Sequence, residues 1–179
     1  SKNDDYFNDQ IKAFLREMGQ KVDNVRKERL FDSTNSGTIT IPVGEYNTYG
    51  YETDEAAEAE VLKQLINEHQ VTAKEPEYLH REKGTENHGL GTTYLEINLT
   101  AQHLWFYKDG QLAFETDNMV SGKMTTWRYT PPGAYRIANK ERDHIMKGTN
   151  SKGQIIYQTP CDYWMLIIPE LGVGLHDSE

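Results

Sequence analysis

The run His103-Leu-Trp-Phe-Tyr-Lys108, Asp109-Gly110, Gln111-Leu-Ala-Phe-Glu-Thr116 decides the fold class. Two stretches rich in β-formers are joined by Asp-Gly, a dipeptide that readily takes positive φ at both turn positions. The spacing therefore predicts a hairpin closed by a type I′ turn. Just upstream, Leu95, Ile97 and Leu99 alternate with Tyr94, Glu96 and Asn98, which predicts a half-buried strand. Downstream, residues 134–138, 154–158, 163–168 and 173–176 carry the same β-branched and aromatic texture and are further strand candidates.

The first half reads differently. Phe7, Ile11, Phe14, Leu15 and Met18 recur at helical spacing and predict one amphipathic helix, with Gly19 as its stop. A short strand is expected over 37–41, broken by Pro42, and residues 46–51 read as extended or looped. A second helix is expected from 54 to 68. Asp54 and Glu55 suit its positive end, and Ala57, Val61 and Leu65 form a stripe beside Leu62 and Ile66. Residues 74–91 hold Pro76, Gly84, Gly89, Gly91 and many charges, the composition of a linker or boundary.

Bulk properties exclude some functions. With 36% hydrophobic and 26% charged residues among 179, the chain has the material for a real core. Its net charge of −9 disfavours nucleic acid, which calls for a basic footprint, and equally a polybasic membrane-surface module. A single cysteine, Cys161, rules out an intrachain disulfide framework. There is no signal-peptide core and no run of 18 or more apolar residues. His69, His80, His88, His103 and His144 show no paired ligand spacing, so neither metal nor other cofactor is expected. Asn98-Leu-Thr100 is formally a glycosylation sequon but falls in a predicted strand, and Gly172-Val-Gly174 is too short a match for a dinucleotide loop.

Several motifs of the second half occur in a telling order: the run from Thr93 to Gly110, then Val120-Ser-Gly122, Thr130-Pro-Pro-Gly-Ala-Tyr-Arg-Ile137, Asp162-Tyr-Trp-Met165 and Gly172-Val-Gly-Leu-His176. Together they resemble the catalytic domain of the bacterial cell-wall L,D-transpeptidases of YkuD type, whose Thr-Pro-x-Gly-x-Tyr-x-Ile signature the third is similar to. The resemblance covers residues 92–179. It implies an α+β N-terminal segment (1–84, the end of a peptidoglycan-binding domain), a linker (85–91) and a mainly-β sandwich domain (92–179) incomplete at its C-terminus.

What the family implies is acyl transfer between peptidoglycan stem peptides. A cysteine thiolate attacks the amide before the terminal D-amino acid, and an amine of a neighbouring stem then takes the acyl group. The base is a histidine at a strand end, matched by His176. The nucleophile sits in a Ser/Thr-His-Gly-Cys motif some fifteen to twenty residues later, which the resemblance places beyond Glu179. The parent protein is thus expected to be an enzyme of the outer face of a bacterial envelope, anchored to the membrane through an N-terminal segment outside these residues. This chain is expected to be inactive, with an unpaired sheet edge that favours association.

Each residue has a plainer reading beside the functional one. A lone histidine near a chain end is ordinarily a satisfied surface residue, and the motif context is what elevates His176. Cys161 invites the role of substitute nucleophile, but it precedes His176 where the family's nucleophile follows, and a buried free cysteine commonly acts as a small hydrophobe. Tyr157, Tyr163 and Trp164 are candidates to line a substrate groove, although strand aromatics are more often core. Period-2 alternation sets Tyr163 and Trp164 on opposite faces. Trp127 and Arg128 fall in a stretch that reads as a flap or an ordinary loop, with Arg128 a candidate partner for a stem-peptide carboxylate. The competing functions are a non-catalytic peptidoglycan-binding module and, more remotely, a β-rich surface or adhesion protein.

Overall fold

The computed structural model describes residues 2–123 and 129–177. The chain divides into two compact units, Ser1–Ser121 and Gly122–Glu179. No helix among the described residues is long and apolar enough to cross a membrane.

The first unit opens with α1 (Lys2–Val22), whose inner face is Ile11 and Leu15. Leu15 is 1% exposed, a burial that contributes about 1.5–3 kcal/mol. The helix runs past Gly19, which keeps helical geometry, and closes with Asp23 N–H on the Gly19 carbonyl. Phe14 departs from the expected stripe and is 56% exposed, because one helix face this narrow buries only the Ile11–Leu15 seam. Next come β1 (Arg29–Ser33) and β2 (Gly37–Ile41), an antiparallel hairpin of which only β2 was foreseen. β3 (Glu52–Thr53) leads into α2 (Glu55–Asn67), whose start lies where expected and is capped by Asp54: its carboxylate accepts from Ala57 N–H at 2.9 Å. The expected apolar stripe of α2 is only half covered, and the helix buries Glu58 instead. That carboxylate is held by Lys74 Nζ at 2.5 Å and by Glu77 N–H at 2.9 Å.

Residues 74–91 are tied into this unit. β4 (Tyr78–His80) pairs with β3, and the buried Tyr49 hydroxyl donates to the Gly89 carbonyl and accepts from Lys83 N–H, both at 2.8 Å. β5 (Tyr94–Asn98), β6 (His103–Lys108) and β7 (Gln111–Thr116) then form an antiparallel sheet. The turn between β6 and β7 has φ of 52° at Asp109 and 78° at Gly110, the type I′ geometry that Asp-Gly predicts. The alternation of β5 holds, but its better-buried side is the polar one. Glu96 is 7% exposed, and it accepts from Ser33 Oγ at 2.8 Å, from Thr34 N–H at 3.1 Å and from the Thr34 hydroxyl. A carboxylate so supplied with donors can be buried where an unpaired one could not. Beside it Phe31, Tyr94 and Tyr107 pack ring on ring, with Trp105 buried.

The second unit is one antiparallel sheet in the order β10–β9–β8. β8 (Asn139–Thr149) and the 14-residue β9 (Ile155–Ile168) form a long hairpin. A 3-10 turn (Pro169–Leu171) then returns the chain as β10 (Val173–His176). β8 was not foreseen, and the strand expected at 134–138 is irregular chain ahead of it. The two strands expected at 154–158 and 163–168 are one, passing through Pro160. At Pro160 β9 is paired only with β8, so the missing N–H costs no ladder bond on the other side. The architecture is an N-terminal pair of helices with small sheets, followed by mainly-β structure.

Candidate functional site

The site is assembled by the register of β9 and β10. His176 lies directly opposite Trp164, Leu175 opposite Met165 and Gly174 opposite Leu166. Facing residues of an antiparallel pair project to the same side, so the pairing alone brings the imidazole of His176 beside the indole of Trp164. Their ring centroids are 5.9 Å apart with planes 23° from parallel. Gly174 leaves room for the indole, since a Cβ there would stand 2.8 Å from both Cζ2 and Cη2 of Trp164.

A second histidine stacks on the same indole. The ring of His144 stacks on Trp164 at 4.8 Å with planes 9° apart. Register places His144 opposite Cys161, whose side chain belongs to the other side of the regular alternation. The break comes at Asp143, whose φ of 53° is left-handed, and there His144 leaves the alternation to reach Trp164. Glu141 holds it: its Oε2 accepts from His144 Nδ1 at 2.5 Å while its Oε1 accepts from Asn139 Nδ2 at 2.6 Å.

The end of β10 is tied down by Asp177. Its carboxylate accepts from the backbone N–H of Tyr163 at 2.8 Å and of Asp162 at 3.2 Å. The Tyr163 N–H first, and the Asp162 N–H with it, hold that carboxyl below the usual carboxylate range. Next to it, His176 Nδ1 lies 2.8 Å from the Asp177 carbonyl oxygen. A carbonyl only accepts, so Nδ1 carries a proton, and in the neutral ring Nε2 is the nitrogen left with a lone pair.

Cys161 is buried, and its thiol donates to the His144 carbonyl at 3.6 Å. Burial pushes the thiol pKa up, and the carboxylates of Asp177, Asp162 and Glu141 push it further, the opposite of what makes a thiolate nucleophile.

The structure thus brings Trp164 and His176 together. Tyr163 is set on the opposite side, 52% exposed under the Arg142 guanidinium at 4.8 Å. Tyr157 lies seven residues from Trp164 along β9, about 23 Å at strand rise, with its ring laid over Gly148. Trp127 and Arg128 lie outside the described residues. His144 and Glu141 were missed as part of this cluster, and the only sequence signal was a histidine flanked by charges in an unassigned stretch. Among the described residues, no group of three or more His, Cys, Asp or Glu could hold a metal ion.

Comparison with known proteins agrees with this picture. Residues 92–179 match the family described as the L,D-transpeptidase catalytic domain, YkuD. The crystal structure of a Cys→Ser mutant of Enterococcus faecium L,D-transpeptidase is similar, with 39% identity and a TM-score of 0.69 over 96% of this chain and 65% of that one. The Ldtfm–avibactam carbamoyl enzyme gives 38% identity and a TM-score of 0.69 over 96% of this chain and 64% of that one. The chain therefore spans just under two thirds of the length of these relatives. No curated protein sequence matches. It is residues 92–179 that match the L,D-transpeptidase catalytic domain family, YkuD, and the likeness of the chain to that family rests on them.

Proposed function

We propose that the chain carries the general-base portion of a cysteine L,D-transpeptidase that cross-links peptidoglycan stem peptides. The observation that carries the reading is the state of His176: Nδ1–H is committed to the Asp177 carbonyl, which leaves Nε2 as the proton acceptor. In such a reaction Nε2 takes the proton of a cysteine thiol as the sulfur attacks the donor amide, and returns it to the departing D-amino acid. The acceptor amine then displaces the thiol from the thioester. Residues 1–84 would be the end of a preceding peptidoglycan-binding domain and 85–91 the link to the catalytic domain. The site of action would be the outer face of a bacterial envelope, with a membrane anchor contributed by residues outside these.

These 179 residues are proposed not to turn over substrate by themselves. Their one cysteine is buried, bonded to the His144 carbonyl and pushed toward the neutral thiol. The test is intact-mass measurement after carbapenem exposure, on this chain and on a longer chain carrying the Ser/Thr-His-Gly-Cys motif after His176. A single drug adduct on the longer chain only is expected. An adduct at Cys161 would overturn the assignment of the nucleophile, and no adduct on either would favour a binding module on a transpeptidase scaffold.

A further inference from the structure

We propose that Trp164 is the positioning residue for His176, backed by His144 and Glu141, so that an imidazole–indole–imidazole stack fixes the plane and tautomer of the base. The inference rests on the reading of His176 as the base. It concerns residues on β8 and β9 that the reaction itself does not require.

An exposed histidine on the last residue of an edge strand is free to turn about two side-chain bonds, and fixing such a side chain has an entropic cost. Here three features oppose that freedom. The indole of Trp164 lies alongside His176 and is itself only 8% exposed. The indole cannot slide toward β10, because it already occupies the space a Cβ of Gly174 would fill. The indole is held in its turn: His144 lies on it nearly parallel, and the Glu141 carboxylate, itself bound by Asn139, holds His144 there.

Simple core packing of a tryptophan does not explain this arrangement. A core contact would be served by any apolar side chain, whereas here a half-exposed imidazole is drawn across the strand alternation through a left-handed residue, Asp143. The polar partners of the stack (Glu141 at one end, the Asp177 carbonyl at the other) each receive an Nδ1–H, so both imidazoles present the same tautomer. Holding His176 against the indole keeps its Nδ1 within 2.8 Å of that carbonyl, and this is what reserves Nε2 for proton transfer.

The experiment is nitrogen-15 and proton NMR of the histidine rings in the intact chain, at mildly alkaline pH where imidazoles are neutral. In the native chain the ring protons of His144 and His176 should be shifted upfield by the indole, and His176 should show a pyrrole-type Nδ1 with a pyridine-type Nε2. Trp164→Leu should move both sets of ring protons downfield and return His176 to a mixture of tautomers, while His69, His80, His88 and His103 keep their positions. Trp164→Phe should restore much of the native pattern. A merely structural tryptophan would leave the His176 tautomer unchanged in Trp164→Leu, and that result overturns the proposal. Should Trp164→Leu unfold, with all six histidines collapsing to one position, His144→Ala decides instead: His176 resonances identical to native in that variant also overturn it. Failure of the base reading is a separate outcome, in which His176→Gln in the longer chain is acylated by a carbapenem at the native rate. The NMR result would stand in that case.

Discussion

Replacing Gly174 by alanine adds one methyl group at the point where β10, β9 and the indole of Trp164 meet. The new Cβ would lie 2.8 Å from the Met165 carbonyl oxygen and 2.8 Å from two ring carbons of Trp164, closer than real Cβ atoms come. The carbonyl belongs to the ladder and the indole is pinned under His144, so neither moves away freely. Overpacking of this kind costs about 1–3 kcal/mol. Taking about 2 kcal/mol, and about 2–4 °C per kcal/mol for a chain of this size, the melting temperature should fall by about 4–8 °C. The assay is thermal unfolding followed by circular dichroism on four proteins: native, Gly174→Ala, Trp164→Leu and the double variant. One of the two clashes disappears with the indole, so the double variant should be more stable than the sum of the single losses by roughly 1 kcal/mol. A Gly174→Ala protein that melts with the native chain would refute the close approach. Single losses that add within about 0.5 kcal/mol would refute the claim that the indole is the obstacle.

Other consequences can be checked independently. The Asp177 carboxyl is held below its ordinary value, so its contribution to stability is fully present above the unfolded value of about 3.9 and is lost as pH falls through the lower folded value. Asp177→Asn should therefore flatten the acid limb of stability against pH, and an unchanged acid limb would show that the clamp on β9 contributes nothing. Tyr135 is pushed up to about 12, chiefly by burial, with its hydroxyl donating to the Pro131 carbonyl at 2.9 Å. A raised folded pKa means stability that is complete below the unfolded value of about 10 and is lost as pH rises from there through the folded one. Tyr135→Phe should remove that alkaline loss while costing about 1 kcal/mol at neutral pH. The Cys161 thiol should resist a thiol-reactive dye in the native chain and react on addition of denaturant, and fast native labelling would contradict its burial. Finally, β7 is exposed along most of its length with Leu112 and Phe114 outward, and Ile155 and Ile156 are exposed on the β8–β9 hairpin. Sedimentation should show concentration-dependent association that Phe114→Lys reduces, since lysine on an edge blocks strand addition.

What could be read in advance divides along physical lines. Local signals held wherever a few neighbouring residues determine the outcome. Asp109-Gly110 sets its own φ angles, Asp54 caps α2 through an atom three residues away, and Val173–His176 is a strand as its composition suggests. Misreadings arose where a distant partner outweighed the local pattern. Alternation in β5 marks two faces but not which one is better buried, and Glu96 goes inward because Ser33 and Thr34, more than sixty residues earlier, bring donors to it. Phe14 fits the helical period of α1 and is nonetheless exposed. Residues 154–158 and 163–168 were expected as two strands, yet one strand runs through Pro160, whose cost depends on whether a neighbour needs its N–H, and only the sheet order decides that. β8 went unrecognised because Asn139-Lys-Glu-Arg-Asp143 is too charged to resemble a strand, and an edge strand tolerates such residues on both faces.

The candidate site shows both halves of this division. His176 was legible because its neighbours Gly172-Val-Gly-Leu form a motif, and Trp164 because it belongs to another. Their meeting was not, since it depends on a register in which position 176 faces 164 rather than 163 or 165, and a slip of one residue would have put Tyr163 there instead. That register is held by features a motif does not announce: the Asp177 carboxylate on the N–H groups of Asp162 and Tyr163, and the left-handed backbone of Gly172, whose φ of 62° lets the chain turn back after Leu171. His144 depends on a third such feature, the left-handed Asp143. An aspartate in a charged strand gives no local sign that it will adopt φ > 0, so the residue that delivers the second imidazole to the indole is the one the sequence conceals best.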